Sequence, residues 1–229
     1  MPWHDRPLAV LDLEATGADP DTARIVEVGL FRVDADGTSE AVVHQLVDPG
    51  VPLPKAVTDL TGITPADLAA AGGEPAAVLA ATGDAIRHLA AEGTPIVVYN
   101  ATYDWPLLTN ELARHDLPAL PDVPPAVLID PLVLDRYVDR YRPGKRTLTA
   151  VASHYGVSFD DVHRADVDAA ATVALARRLA ERYPEVRLDG PDLVAFQQRA
   201  HEQWKASFND YLRRIRATRP PATEVWPTG

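Results

Sequence analysis

A chain of 229 residues with 46% hydrophobic content can bury one sizeable core, and its 33 acidic against 22 basic residues give a formal charge of −11 at pH 7. That balance argues against a broad electrostatic footprint on duplex nucleic acid, which needs a basic face to neutralise phosphates. The lack of cysteine excludes disulfides, thiolate metal sites and thiol nucleophiles, so any metal must be held by oxygen or imidazole. The opening MPWHDRPLAVLDLEATG carries acidic residues within a dozen positions and has no uninterrupted apolar h-region of signal-peptide length, and a cytoplasmic protein with no membrane partner is expected.

Residues 7–13, PLAVLDL, read as a buried strand whose far end becomes acidic. Strand-like runs follow at 25–33 and 41–47, and DADG between them reads as a hairpin turn, so the first strands should form an antiparallel meander. The proline-rich stretch DPGVPLPKAVTDLTGITPADL is no strand, but Thr64 before Pro65 marks the start of a short helix. From Pro75 to Ala91, positions 78, 79, 82, 86, 89 and 90 recur at helical spacing. PIVVY at 95–99 is a β-branched strand, and 104–114 is a helix with Pro106 expected in its first turn. The run AVLID closes a fifth strand at Asp130, and helices are expected at 131–138, 148–155 and 165–183. The order implies an α/β fold: a mixed five-stranded sheet, three strands antiparallel and two parallel, flanked by helices. Ligands in such sheets bind beyond the C-terminal ends of the central strands.

After Asp189-Gly190-Pro191 an extra helix is expected over 191–217, with Leu193, Phe196, Ala200, Trp204, Phe208, Tyr211 and Ile215 on one face. That stripe reads as a packing surface against the domain or a second subunit. The expected organisation is a domain over 1–185, an amphipathic helix over 186–217, and a flexible tail over 218–229 that Trp226 can anchor.

Acidic residues gather at the functional end of this arrangement. Asp12 and Glu14 are one residue apart on the first strand and point the same way. Two such carboxylates are either solvated strand-end charges or hard oxygen ligands of the kind Mg²⁺ and Mn²⁺ prefer. Asp104, in VYNATYDWPLL, is a helix N-terminal carboxylate on its simplest reading. Asn100 before it reads as a turn or cap residue, and Tyr103 and Trp105 either pack or stack on a base. DDVHRADVDAAAT sets His163 and Asp168 at the start of a helix, where acidic residues commonly complement the dipole. An imidazole there can also take a proton near neutral pH.

Taken together, DLEATG at Asp12 to Gly17, NATYD at Asn100 to Asp104 and HRADVD at His163 to Asp168 resemble the three motifs of the DEDDh branch of 3′–5′ exonucleases. Ribonuclease T, oligoribonuclease and the proofreading subunit of bacterial replicative polymerases are members. VDPGVPLPKAVTDLTGIT resembles the family's connecting loop, and IDPLVLDRYV with GKRTLTAVASHYGV the segment before its third motif, so the likeness spans about residues 7–182. The sister branch carries a tyrosine four positions before the last aspartate, where this chain has Arg164. Ala15 stands where the family often has threonine, and Tyr99 precedes Asn100 where a histidine is common.

The resemblance implies a ribonuclease H-like fold in which Asp12, Glu14, Asp104 and Asp168 bind two divalent cations, Mg²⁺ or Mn²⁺, and His163 is the general base. It implies hydrolysis at the 3′ end of single-stranded nucleic acid, DNA being favoured, with release of nucleoside 5′-monophosphates. Leu13, Ala15, Thr16, Gly17, Asn100, Tyr103 and Trp105 would contact the terminal nucleotide. The C-terminal helix would serve a homodimer or a polymerase partner. Two rival readings are a non-catalytic binding module acting through that helix, and a hydrolase using Asp12 and Glu14 as an acid/base pair.

Overall fold

The computed structural model describes residues 2–123, 127–158 and 165–227, the side chains at 165 and 166 excepted. Strand β1 (Leu8–Ala15) lies at the centre of a sheet between β2 (Ile25–Val33) and β4 (Ile96–Val97), with β3 (Ser39–Leu46) and β5 (Leu128–Ile129) at the edges. β1, β2 and β3 pair antiparallel, whereas β4 and β5 run parallel to β1. The DADG hairpin is present, with Gly37 at φ 92°, a left-handed conformation that other residues resist.

β1 alternates between two cores. Ala9, Leu11, Leu13 and Ala15 face the core beneath helices α3 (Pro75–Ala91) and α4 (Ala101–Arg114). Leu8 and Val10 face the other, beneath α7 (Ala165–Arg182), and Asp12 and Glu14 continue that second face where the apolar packing ends. The remaining helices are α1 (Lys55–Thr61), α2 (Pro65–Ala71), α5 (Pro131–Val138), α6 (Leu148–His154) and α8 (Gly190–Arg214). Among the described residues no helix is long and apolar enough to cross a membrane.

Several local features depart from the sequence expectations. Helix α1 was not expected, since it has no buried residue and hence no apolar periodicity to read; Pro54 opens it, and Gly62 closes it at φ 78°. Thr64 does cap α2, in a reciprocal box with Asp67. α4 starts three residues earlier than expected, which puts Pro106 inside the helix rather than in its first turn. The cause is Asp130, whose buried carboxylate accepts the N–H groups of Asn100 (3.1 Å) and Ala101 (2.9 Å) and also caps α5 through Leu132. One aspartate thus anchors two helix N-termini.

The tail is packed through Pro227, and Trp226 is the anchor the sequence offered. Trp226 is 1% exposed in the core under α3 and α4. Along α8, His201 and Lys205 both donate to the Glu224 carbonyl (3.1 Å each), and Asn209 exchanges two hydrogen bonds with Ala222 (2.8 and 2.9 Å). These residues recur every four positions, so one helix face straps the chain end. α8 is itself built into the fold: its Gln197 side chain accepts from the Asp130 N–H (2.7 Å) and donates to the Leu128 carbonyl (2.8 Å). Those are backbone groups at the open edge of β5.

Candidate active site

β4 pairs with β1 only at Ala9 and Val10, so beyond that point the β1 edge is left without a strand neighbour on that side. The first turn of α4 fills the gap. Asp104, 6% exposed, accepts the Leu13 N–H at 3.1 Å, which fixes its carboxyl against the strand that carries Asp12 and Glu14. From the other face, α7 brings Asp168 within electrostatic reach of Asp12 and Glu14.

The carboxyls register one another. Asp12, although reached by solvent, is hemmed in by protein, and this desolvation followed by the charges of Asp168 and Glu27 pushes it up to about 6. Glu14 is pushed up to about 7 by burial, then by Asp12, Glu27 and Asp168. Asp104 is raised well above the ordinary carboxylate range by burial and by Asp12, partly offset by the Leu13 N–H. Such a group of acids is under mutual repulsion that a cation relieves. Among the described residues no three such side chains already converge as a preformed cage. The donor set nevertheless fits hard divalent cations: only carboxylate oxygens are offered, and their crowding rewards positive charge.

Glu27 was missed by the sequence reading. It sits directly opposite Glu14 in the β1–β2 ladder, and its Oε1 is hydrogen-bonded to His44 Nε2 at 3.0 Å. A lone acid inside the apolar strand IVEVGLFRV was the available signal. Opposite Asp12 stands Gly29, so no cross-strand side chain covers that carboxylate.

The loop joining β1 to β2 closes over this end and is bolted to α4. Thr16 pairs with Arg24 through backbone and side chain (2.8 and 2.9 Å), and the Tyr103 hydroxyl donates to the Gly17 carbonyl. Further along α4, Asn110 donates to the Pro20 carbonyl (3.1 Å), and Glu111 accepts the Ile25 N–H (3.2 Å). Gly17 has no left-handed φ, and a Cβ there would meet nothing within 4 Å. Its value is the open space beside the cluster.

The other candidate residues lie as follows. Leu13 and Ala15 turn their side chains into the core, leaving only their backbone towards the site. Asn100 is the α4 N-cap at φ 68°, and Trp105 is packed in the core, bordering a groove with Val123 and Trp226. His163 lies outside the described residues.

The chain spans about a tenth of the length of the polymerases it resembles. DNA polymerase III of the PolC type from Streptococcus mutans is 29% identical over 174 residues, 75% of this chain and 11% of the polymerase. The PolC-type enzyme of Lacticaseibacillus paracasei is 30% identical over 178 residues, 76% of this chain and 12% of that one. In structure the chain is similar to E. coli exonuclease I in complex with a dA16 oligonucleotide. That match has a TM-score of 0.66 at 21% identity, over 79% of this chain and 42% of that one. Residues 9–176, which contain the carboxylate cluster, match the RNase T exonuclease model, and the chain belongs to that exonuclease family.

Proposed function

We propose that the chain is a metal-dependent 3′–5′ exonuclease that removes nucleoside 5′-monophosphates one at a time from the 3′ end of single-stranded DNA. The observation that carries this reading is the gathering of Asp12 and Glu14 on one face of the β1 end with Asp104 fixed beside them by the Leu13 N–H, and the raised carboxyls and the charge of Asp168 on the facing helix agree with it. DNA is favoured over RNA by the polymerase relatives and by the oligonucleotide-bound exonuclease I.

The four carboxylates would hold two Mg²⁺ or Mn²⁺ ions, which when bound supply water activation and neutralise charge on the departing 3′ oxygen. Asp104 keeps its orientation through the Leu13 N–H, so its position does not depend on the ion. His163 accepts the proton of the attacking water as the new P–O bond forms and the P–O3′ bond breaks; this role rests on its motif. The strapped loop at Thr16 and Gly17 borders the terminal nucleotide, and the Tyr103–Gly17 hydrogen bond holds that wall in place before substrate arrives.

A 5′-labelled single-stranded DNA incubated with the protein and Mn²⁺ should yield a ladder shortening from the 3′ end, with 5′-monophosphates released. Matched RNA should be cut more slowly. No shortening with either ion, or products starting from the 5′ end, would overturn the assignment.

A further inference from the structure

The first half of α8 packs as its stripe requires, with Leu193, Val194, Gln197 and Ala200 buried. From Trp204 onward the stripe leaves the core: Trp204 and Phe208 are half-buried, and Tyr211 is exposed. Together with residues 136–146 and the docked chain end at 219–224, they line a groove of about 790 Å³.

This groove is cationic in a chain whose formal charge is −11. The Arg136 guanidinium lies 3.6 Å from the centre of the Trp204 ring. Trp204 stacks on Phe208 at 5.4 Å and 12°, and Arg219 lies over Phe208 at 5.3 Å. Arg140 lies 5.5 Å from the Tyr141 ring, which is 86% exposed. Among the described residues Arg136, Arg140 and Arg219 have no carboxylate within 4.0 Å, whereas Arg142 and Arg146 are both taken by Asp135. A guanidinium held on an aromatic face keeps its in-plane N–H groups for phosphate, and an exposed tyrosine offers a face to a base.

One wall of the groove is tied to the segment that follows β4. The Tyr99 hydroxyl donates to the Arg146 carbonyl at 2.7 Å, and Tyr99 directly precedes Asn100, the cap of the helix bearing Asp104. An acidic surface repels a polyanion elsewhere and admits one here. Flat rings alternating with arginines match stacked bases and phosphates better than they match the aliphatic side chains of an acidic peptide.

We propose that this groove is a second binding site for single-stranded nucleic acid, holding the strand 5′ to the nucleotides under hydrolysis. Arg140 and Arg219 contact phosphates, and Tyr141 stacks on a base. What the strand is held for rests on the exonuclease reading; that it is held does not.

The test compares the parent protein, the double variant Arg140→Ala/Arg219→Ala and Tyr141→Ala, after checking that all three unfold at the same midpoint. Anisotropy of a labelled oligothymidylate of about 20 nucleotides, with chelator present, reads binding without turnover. The double variant should bind about tenfold or more weakly, and its dependence of log Kd on log salt should be shallower by about 1.4, from two lost phosphate contacts at ~0.7 each. Tyr141→Ala should weaken binding about fivefold or more with no change of salt slope. Hydrolysis of a trinucleotide, which offers only one nucleotide 5′ to the two that flank the scissile phosphate, should be unchanged in all three. Unaltered affinity in both variants, or equal losses on trinucleotide and long strand, overturns the proposal. So does a parent that binds a glutamate-rich peptide through these residues but no strand. A parent that binds the strand through them yet cuts nothing leaves the groove assigned and removes the exonuclease reading instead.

Discussion

Glu14 and Glu27 stand directly opposite each other across the β1–β2 ladder, two acids on the face of the sheet that also carries Asp12. Like charges at such a pair destabilise a sheet unless something neutralises them. Glu27 contributes to the elevation of both Asp12 and Glu14, while His44 at 3.0 Å supplies it with a partner on the far side. The meander therefore does more than fill the sheet: β2 contributes charge to the cluster without belonging to any of its three motifs.

The pH dependence follows from those shifts. Well below pH 4 the carboxyls are protonated in both folded and unfolded chains, and their crowding has no effect on stability. As pH climbs through about 6 for Asp12 and about 7 for Glu14, the folded state must release protons against repulsion that the unfolded chain does not feel. Stability contributed by the protonated cluster is thus lost between roughly pH 4 and 7. The metal-free melting temperature of Glu27→Gln should fall less steeply over that window than the parent's, and Mn²⁺ should flatten both curves. Parallel curves for the two proteins in chelator would refute the electrostatic role of Glu27.

Asp104 has two separable duties, as acceptor for the Leu13 N–H and as a charge in the cluster. Asp104→Asn keeps an acceptor and removes the charge, so turnover should fall by about 10²-fold or more while folding stability stays level or rises. Asp104→Ala also leaves a buried N–H unpaired and should cost about 1–3 kcal/mol in denaturant unfolding. An Asn variant as unstable as the Ala variant would show that the hydrogen bond is not what holds this helix start to β1.

How much of this was legible beforehand depends on where each residue sits relative to its neighbours in sequence. Asp12, Glu14 and Asp104 lie at strand and helix ends that hydrophobic patterning marks well, so their approach could be anticipated from topology. Glu27 could not, because its register against Glu14 is set by the loop between them, and a shift of one residue would turn it to the other face. The early start of α4 was equally hidden, since the group that initiates it, Asp130, is 30 residues away from Asn100. The docked chain end and the arginine groove each join segments distant in sequence: the periodic stripe of α8 and the anchoring Trp226 were legible, but not which segments they meet.

His163 and Asp168 share a motif but should fail differently. His163→Ala should lower kcat by about 10²-fold or more and leave the affinity for a single strand nearly unchanged, because a general base acts in the transition state. Asp168→Asn should instead reduce the number or affinity of Mn²⁺ ions measured by calorimetry, since it removes one of the charges that raise Asp12 and Glu14. Full turnover by the alanine variant at position 163 would remove it from the mechanism.

Trp226 is fully enclosed in the core under α3 and α4, and the residues before it are hydrogen-bonded to His201, Lys205 and Asn209 on α8. Truncating a buried tryptophan removes its transfer energy and leaves a cavity, so Trp226→Ala should lose about 3–5 kcal/mol in urea unfolding. Asn209→Ala, which removes two hydrogen bonds to Ala222 without opening the core, should cost about 1–3 kcal/mol. Because residues 219–224 form one wall of the arginine groove, the tryptophan variant should also bind long single strands more weakly while cutting a trinucleotide at the parent rate. A loss below about 1 kcal/mol for Trp226→Ala would mean that α8 holds its place without the strap.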